Sequence, residues 1–354
     1  MENTKTEITK AGTMKTAVMT GIRKMVFQER QIPIPNADEA LVKLEYVGIC
    51  GSDIHYYESG RIGDFIVEPP FVLGHECAGT VVAVGKDVNH LKEGDRVALE
   101  PGKTCKTCMY CRKGDYHLCP DVIFFATPPV DGVFQEYVAH EAALCFKLPD
   151  NVGTLEGALV EPLAIGFHAA NYGGATLGQT AVVFGAGCIG LVSAMALKAM
   201  AVTKVIVVDS LKNRLDKALE LGADEVINFT EVDAAARILE LTGGVDLCIE
   251  TSGAPAAIAT GIQVCTKGAT IVLVGYSGTD NVSIPMNAAI NKELTFKTIF
   301  RYRHIYPMAI QAVASGKVKL GNLADFVFDF AKLPEAMERV IEDKAGIVKG
   351  VVKM

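Results

Sequence analysis

The stretch TAVVFGAGCIGLVSAMALKAM, residues 180–200, joins a short apolar run to a longer one through a glycine-rich turn. This pattern predicts a buried β-strand that turns tightly into an α-helix. A second apolar strand, KVIVVDS, follows at 204–210, and helix-like and strand-like segments go on alternating as far as ATIVLVGYSG at 269–278. Strands that alternate with helices predict a doubly wound parallel sheet of the Rossmann type, with right-handed crossovers.

Three glycines in the turn, Gly185, Gly187 and Gly190, have the spacing G-x-G-x-x-G. The spacing alone is weak evidence, but here it follows a predicted strand and opens a predicted helix. In that setting the first glycine makes the turn, the second lets the backbone approach a pyrophosphate, and the third lets helix and strand pack closely. A tight turn without a ligand is the simpler alternative, and the context favours dinucleotide binding.

Asp209 ends the next predicted strand, 19 residues after Gly190. A carboxylate there accepts hydrogen bonds from the ribose 2′-hydroxyl of NAD and repels the 2′-phosphate of NADP. Arg214 could serve as a partner for a 2′-phosphate, but beside Asp209 we expect it along the adenine ribose. The sequence therefore predicts NAD as the cofactor.

Residues 14 to about 100 have a different character, with short strand-like runs such as EALVKLEYVGIC (39–50) separated by glycine and proline. This predicts an all-β unit. After the alternating region, the chain ends in two helical segments and a final strand, GIVKGVVKM (346–354).

The chain has 354 residues, of which half are hydrophobic and 21% are charged, and its formal net charge is −7. The length favours two domains, because single cores stop growing near about 250–300 residues. No apolar run approaches the roughly 18 residues of a membrane span, and the acidic balance offers no basic surface, so we expect no membrane and no nucleic acid as partner. Residues 1–13 are polar and lack the apolar centre of a secretory signal. We expect them to be a disordered extension of a cytoplasmic protein.

Four of the ten cysteines, Cys105, Cys108, Cys111 and Cys119, lie within fifteen residues with the spacing C-x2-C-x2-C-x7-C, in a polar loop. Disulfides are disfavoured in a reducing compartment. A [4Fe–4S] cluster is the rival, because C-x2-C-x2-C occurs in ferredoxins. Four thiolates also close a tetrahedral zinc shell that leaves no position for a substrate. We favour this structural zinc, since nothing else in the sequence suggests electron transfer.

A second metal site is indicated by Cys50 in GICGSDIHYY, by His75 and Glu76 in VLGHECAG, and by Glu161 in LVEPLAIGFHAA. A cysteine, a histidine and a carboxylate make an open zinc site with water in the fourth position. Taken singly, each residue has a simpler interpretation, such as a core thiol, a hydrogen-bonded histidine or a helix N-terminal charge. Both glutamates lie in apolar surroundings, however, where an unpaired charge is costly.

The segments GICGSDIHYYESGRIGDF, GHECAGTVVAVG, LVEPLAIGFHA and GAGCIG resemble the zinc-dependent medium-chain dehydrogenases from about Met14 to Met354. FFATPPVDG and FRYRHIYP are similar to the polyol branch of that family, the sorbitol (L-iditol) and xylitol dehydrogenases. The resemblance implies a GroES-like β domain, residues 14–160 and 300–354, that carries both zinc sites. It also implies an inserted Rossmann domain, residues 161–299, and a homotetramer.

The resemblance also implies roles for individual residues. The catalytic zinc is held by Cys50, His75 and Glu76, with Glu161 bound directly or through water. The proton relay is Ser52 and His55. Substrate contacts are Tyr56, Phe125, Thr127, Glu161, Arg301 and Tyr302. Besides the glycines, cofactor contacts are Ile189, Asp209, Arg214, Leu273, Val274, Gly275, Ile299, Phe300 and Arg301.

The implied activity is NAD-dependent oxidation of a polyol such as sorbitol, xylitol or L-iditol to its ketose, and the reverse. In this chemistry zinc lowers the pKa of the substrate hydroxyl and NAD accepts a hydride. Two alternatives stay open. One is a medium-chain dehydrogenase for another secondary alcohol or L-threonine, and the other is a zinc-stabilised NAD(H)-binding sensor without turnover.

Overall fold

The computed structural model describes residues 12–354. The chain forms two units, and the first is made of two stretches of sequence that flank the second. The first unit runs to Glu161 and resumes from Ala324 to Met354, and the second spans Pro162–Leu323. The predicted return to the first domain at residue 300 is therefore 24 residues too early. The reason is that Phe326 is the first residue after the second unit's sheet that pairs with a strand of the first unit.

The predicted N-terminal extension is also too long. Thr13 already pairs with Gln31 in an antiparallel ladder, and the carbonyl of Gly12 accepts a hydrogen bond of 2.9 Å from the amide of Ile32. The rest of that prediction, residues 1–11, lies outside the described residues.

Short strands make up most of the first unit and alternate with helices in the second. Numbered along the chain, the strands are β1 (Thr13–Gly21), β2 (Lys24–Gln31), β3 (Glu39–Gly48), β4 (Arg61–Ile62), β5 (Phe65–Ile66), β6 (Glu76–Val84), β7 (Arg96–Leu99), β8 (Gly102–Lys103), β9 (Ile123–Phe124), β10 (Tyr137–Glu141), β11 (Cys145–Lys147), β12 (Thr180–Phe184), β13 (Lys204–Asp209), β14 (Glu225–Asn228), β15 (Val245–Glu250), β16 (Cys265–Leu273), β17 (Thr295–Thr298), β18 (Phe326–Asp329) and β19 (Gly350–Lys353). The helices are α1 (Gly51–Ser59), α2 (Met109–Arg112), α3 (Thr154–Gly173), α4 (Cys188–Ala199), α5 (Lys212–Glu220), α6 (Ala234–Thr242), α7 (Pro255–Val264), α8 (Met286–Asn291), α9 (Tyr306–Ala314) and α10 (Leu333–Glu342).

The main sheet of the first unit has the strand order β11-β7-β6-β3-β19-β18, and β10 also pairs with β3. Strand β3 is rich in valine and leucine, and most of its residues are buried, as suits a strand with neighbours on both sides. A hydrophobic cluster of buried residues packs against the sheet and includes Val42, Leu44, Val47, Leu73, Leu99 and Phe134. Cys50 follows the end of β3, and His75 and Glu76 lie at the start of β6, so this cluster packs beside the segments that carry them.

The second unit contains one six-stranded parallel sheet with the order β14-β13-β12-β15-β16-β17. The strands of its centre are buried on both faces and read as continuous apolar runs, as in TAVVF and KVIVVD. The order reverses direction on either side of β12, and ligands of such sheets bind at the carboxyl ends of the strands beside this switch. The predicted fold class, a GroES-like β domain with a doubly wound Rossmann domain, is confirmed.

Among residues 12–354, no helix combines the length and the apolar character needed to cross a bilayer.

Candidate metal centres and dinucleotide site

The four clustered cysteines converge on one point of the first unit. One sulfur from each of Cys105, Cys108, Cys111 and Cys119 lies within 4.8 Å of every other. The segment that carries them is less irregular than the predicted loop: α2 begins after Cys108, and a short 3₁₀ turn, Tyr116–Leu118, precedes Cys119. These turns fold the segment back on itself so that distant members of the motif meet.

The geometry of this cluster fits a tetrahedral zinc site. The sulfurs of Cys105 and Cys111 are 3.9 Å apart, close to the roughly 3.8 Å edge of a tetrahedron with Zn–S bonds of about 2.3 Å. That separation is far beyond a disulfide bond, and all ten cysteines are free thiols. It is short for a [4Fe–4S] cluster, in which each cysteine binds a different iron. The four side chains therefore suit a single zinc ion.

Backbone amides support negative charge on this cluster. The amide of Cys108 donates to the sulfur of Cys105 at 3.2 Å, and the amide of Cys111 donates to that of Cys108 at 3.4 Å. Hydrogen bonds from the backbone lower the pKa of Cys105 to about 6, whereas burial raises the pKa of Cys119 to about 11, so without a metal the negative charge lies on Cys105. A thiolate at neutral pH is the form that binds a metal.

A second group of possible ligands is formed by Cys50, His75 and Glu76 of the same unit, again within 4.8 Å of one another. Cys50 lies immediately before α1, His75 immediately before β6, and Glu76 begins that strand. His75 and Glu76 are buried, whereas Cys50 is partly accessible. Three ligands with one accessible side are typical of a catalytic zinc site.

Asp53 ties together the two segments that supply these ligands. Its buried carboxylate accepts a 2.9 Å hydrogen bond from the amide of Cys50 and a 2.8 Å bond from the amide of Gly74. The same carboxylate lies 3.7 Å from Nδ1 of His75. Asp53 therefore fixes the start of α1 against the turn that leads into β6.

The electrostatics around His75 favour a cation. Burial by itself would lower the pKa of this side chain, but the charges of Cys50 and Asp53 outweigh burial and raise the pKa well above its usual value. The negative charges that stabilise a proton on His75 would also stabilise a divalent cation bound to the imidazole in place of that proton.

Glu76 is held by a partner from the far end of the chain. Lys349, just before β19, donates from Nζ to Oε1 of Glu76 at 2.6 Å and to the carbonyl of Ile49 at 3.1 Å. The ammonium group also lies against Oε2 of Glu76. Gly48 makes room for this carboxylate, because a Cβ at that position would overlap Oε2. Glu76 therefore has one fixed orientation.

The other residues implied for this centre differ in their placement. Glu161 is buried, and it lies on α3 as the last residue of the first unit before Ala324, but it is not a member of the three-ligand group. Ser52 is half-buried and His55 is exposed on α1, while Tyr56 of the same helix is buried. Phe125 is buried with its ring 4.6 Å from that of His140, and Thr127 is half-buried.

The glycine turn of the second unit has the backbone that its spacing predicts. Gly185 has φ of +94°, a conformation that favours glycine. A Cβ on Gly190 would overlap the carbonyl oxygen of Gly185, so the helix packs directly on the turn. A Cβ on Gly187 would meet nothing within 4 Å. Nothing in the packing around Gly187 calls for a glycine, so its bare backbone fits the close approach of a ligand.

Asp209 closes the same turn from the end of β13. Its carboxylate accepts hydrogen bonds from the amide of Ala186 at 2.7 Å, from Ser210 at 2.7 Å and from Leu211 at 3.0 Å. Asp209 also lines a cavity of about 530 Å³ within this unit, together with Gly185 and Arg214. The cavity fits the adenosine half of a dinucleotide.

The remaining predicted cofactor and substrate residues lie in three segments of the second unit, namely the start of α4, residues 273–275 and residues 299–302. Leu273, Val274 and Gly275, at the end of β16, are half-buried, like Ile189, Ile299 and Arg301. Phe300 is exposed and stacks on the guanidinium of Arg301, which lies 4.6 Å from its ring centre, whereas Tyr302 is buried.

Sequence reasoning missed two residues of the metal centre, Asp53 and Lys349. Asp53 had a detectable signal, since it lies three residues after Cys50 where a carboxylate caps a helix start. Lys349 had none, because a lysine in a short apolar strand resembles any exposed edge residue.

Two family models match the chain. Residues 36–150 match the alcohol dehydrogenase GroES-like domain, and residues 188–315 match the zinc-binding dehydrogenase domain. The first match contains both clusters of possible metal ligands, and the second begins within the glycine turn and contains Gly190 and Asp209.

Relatives match over nearly the whole length. Sorbitol dehydrogenase from Bos taurus is 45% identical over 91% of this chain and 91% of its own length, and sorbitol dehydrogenase from Bacillus subtilis is 41% identical over 96% and 97%. The crystal structure of an oxidoreductase/dehydrogenase of unknown specificity from Escherichia coli superposes with a TM-score of 0.92 at 40% identity, covering 97% of this chain and 99% of that one. The matches and the geometry agree, and the chain belongs to the polyol branch of the zinc-dependent medium-chain dehydrogenases.

Proposed function

We propose that the protein is an NAD-dependent polyol dehydrogenase, which oxidises a polyol such as sorbitol, xylitol or L-iditol to the corresponding ketose and catalyses the reverse reaction. The observation that carries the proposal is the three-ligand group with one accessible member, in a chain more than 40% identical to sorbitol dehydrogenases. A binding module needs no open metal site, which argues against the sensor alternative.

Cys50, His75 and Glu76 would hold the catalytic zinc, and Cys105, Cys108, Cys111 and Cys119 a structural one. When bound, zinc lowers the pKa of the substrate hydroxyl, and the nicotinamide accepts the hydride. Lys349 and Asp53 keep the ligands in place while this occurs. Glu161 tunes the charge of the centre from outside the three-ligand group.

The proton released from the hydroxyl needs a route to water. Ser52 and His55 lie three residues apart on α1, and residues at that spacing are neighbours on one helix face. The half-buried hydroxyl of Ser52 and the exposed imidazole of His55 are suited to pass the proton outward. We assign the relay to these two residues.

Tyr56, Arg301 and Tyr302 each carry a polar group suited to a polyhydroxy chain, and we assign them, with Phe125 and Thr127, as substrate contacts. A simple alcohol would need an apolar pocket instead. Asp209 selects NAD, and its carboxylate also holds the glycine turn through Ala186.

We also propose a cytoplasmic homotetramer. Strand β17 is an edge of the parallel sheet, and near it Ile290 is 63% exposed and Phe300 is 47% exposed. Apolar side chains beside an open strand edge are typical of a surface that pairs with another copy. Light scattering coupled to gel filtration measures the mass; a monomer would contradict this assembly.

The decisive experiment measures NADH formation with a panel of alditols, L-threonine and simple secondary alcohols, together with zinc per chain. We expect two zinc ions and the highest kcat/KM with an alditol. Preference for threonine or a simple alcohol would favour another dehydrogenase specificity. One zinc ion and no turnover with any substrate would favour the sensor.

A further inference from the structure

Glu250, the last residue of β15, is a fully buried carboxylate to which neither the metal centres nor the cofactor contacts described above assign a role. Its Oε1 accepts a 2.8 Å hydrogen bond from the amide of Ser252 and a further bond from the hydroxyl of Ser252. The amide of Gly253 is shared between its two oxygens, at 3.1 and 3.0 Å. The charge is thus satisfied by the turn that follows it, residues 251–253.

This turn touches the glycine turn of the dinucleotide site. The amide and the hydroxyl of Thr251 donate to the carbonyl of Phe184 at 2.9 and 2.8 Å, and the hydroxyl lies 3.3 Å from the carbonyl of Gly185. A Cβ on Gly185 would lie 2.8 Å from the Thr251 hydroxyl, and one on Gly190 would lie 3.0 Å from it. Thr251 therefore packs against the first and the third glycine of the motif.

The same turn also touches the segment after β16. The backbone carbonyl of Glu250 accepts hydrogen bonds from Val274 at 2.8 Å and from Gly275 at 3.1 Å. A Cβ on Gly253 would overlap the carbonyl of Tyr276, and one on Gly275 would overlap the amide of Gly253. Three turns at the carboxyl ends of β12, β15 and β16 are thus packed backbone to backbone around Glu250.

We propose that Glu250 is a positioning residue for the dinucleotide: it holds turn 251–253, and through Thr251 and Gly275 it sets the two turns that contact the cofactor. The arrangement leaves Ser252 on the wall of the cavity that Asp209 lines, with its hydroxyl engaged by Glu250. The inference rests on the proposed use of a dinucleotide and concerns how the site is preorganised. Turns that are ordered before the ligand binds improve affinity, because binding then loses less conformational entropy.

The test compares Glu250→Gln with Asp246→Asn. Asp246 lies on the same strand at its opposite end, and its carboxylate also accepts a backbone amide, that of Thr180 at 2.8 Å. Both changes remove one buried or half-buried charge and keep the shape. Glutamine at 250 keeps one acceptor oxygen for Ser252, but it removes the charge and places an amide donor where Oε2 accepts from Gly253, so the anchor of turn 251–253 is weakened.

The probe is NADH, titrated by fluorescence at a temperature where each variant is folded, with steady-state kinetics alongside. We expect Glu250→Gln to raise the Kd for NADH about tenfold or more, as the loss of a charge-assisted hydrogen bond implies. The KM for the polyol and kcat at saturating NAD should change much less. Asp246→Asn should leave the Kd for NADH unchanged even if it lowers the melting temperature.

If the wild type failed to bind NADH, the proposed function would be at fault. If the wild type bound NADH and folded Glu250→Gln bound it as tightly, the positioning role would be overturned. If Glu250→Gln does not fold, Thr251→Val is the deciding variant. It removes only the hydroxyl group that reaches the carbonyls of Phe184 and Gly185. An unchanged Kd in Thr251→Val would then count against the proposal, and a raised Kd would support it.

Discussion

The ammonium group of Lys349 lies 2.6 Å from Oε1 of Glu76, although 273 residues of chain separate the two, and neither side chain is more than 2% exposed. A buried carboxylate next to two other potential metal ligands would otherwise carry an uncompensated charge. The ammonium group contacts both oxygens of the Glu76 carboxylate and neutralises its negative charge.

Lys349→Met should therefore destabilise the protein strongly, because it leaves Glu76 buried without its partner. Breaking a buried ion pair typically costs about 3–5 kcal/mol. Thermal unfolding and zinc per chain measure the effect. Lys344→Met is the matched control, since Lys344 pairs with Glu58 at the surface and is 60% exposed. Equal stability of the two variants would show that the buried pair does not support the fold.

Cys108→Ser should release the structural zinc and leave the three-ligand group intact. The variant should contain one zinc ion per chain instead of two and should unfold at a lower temperature, because structural zinc contributes to folding free energy. Cys145→Ala, which changes a buried thiol outside both clusters, should keep two zinc ions. If Cys108→Ser kept two zinc ions and full thermal stability, the four clustered cysteines would not form a structural zinc site.

Asp209→Ala should reduce the preference for NAD over NADP, mainly because the affinity for NAD falls about tenfold. The structure adds a second reason for the loss, since the carboxylate also holds the amide of Ala186 in the glycine turn. Asp216→Ala, on α5 and paired at the surface with exposed Lys212, serves as the control with unchanged cofactor kinetics. A wild-type enzyme that worked better with NADP would refute the assignment of Asp209.

Glu161→Gln should retain both zinc ions while turnover with a polyol falls about 10–100-fold, the usual range for groups that support metal ligands. The change keeps the shape of the side chain and removes its charge. Glu156→Gln, in the first turn of the same helix, should keep wild-type turnover. Glu161 would be a structural charge if its variant were equally active, and the polyol assignment would lose one of its supports.

Glu100 should make stability depend on pH. Burial raises the pKa of its side chain to about 7, from 4.5, although a 2.8 Å hydrogen bond from the hydroxyl of Tyr116 opposes the shift. A carboxyl whose pKa is raised by folding stabilises the protein fully below about pH 4.5, and this contribution is lost as the pH rises through about 7.

Glu100→Gln keeps an acceptor for Tyr116 and removes the titration. We expect the variant to gain stability relative to wild type between pH 5 and 8, by at most about 3 kcal/mol. Urea unfolding across this range measures the difference. Glu93→Gln, at an exposed position, should follow the wild-type profile. A parallel pH profile for Glu100→Gln would mean that Glu100 stays ionised in the folded protein.

The helices and strands of the second unit could be predicted closely from the sequence. The spacing of apolar residues and the positions of glycines determine secondary structure within a short segment, without distant contacts. The run TAVVF became β12 and KVIVVD became β13, since strands buried on both faces must be apolar throughout. The same locality allowed the cysteine motif to be interpreted, because its four residues lie within one turn-rich segment.

Contacts between distant segments could not be predicted in this way. Nothing near Lys349 in the sequence indicates that it faces Glu76, and nothing near Glu250 indicates that its carboxylate holds turn 251–253 beside Gly185. The return to the first unit was misplaced for the same reason. Residues 300–323 contain helix-like patterns, and such a pattern does not indicate against which sheet the helix packs, so it could not show that this segment belongs to the second unit.

The discontinuity of the first unit has a consequence for how the protein matures. Residues 162–323 are contiguous and have their own core, so this unit can fold as soon as it has been synthesised. Cys50, His75 and Glu76 are made early, but β19 and Lys349 are made some 270 residues later. During this interval the nascent β domain lacks the strand that borders β3 and the ammonium group that neutralises Glu76. The three-ligand group therefore gains its neutralising partner only after Lys349 and β19 have been synthesised, and we expect zinc capture to follow completion of the β-sheet.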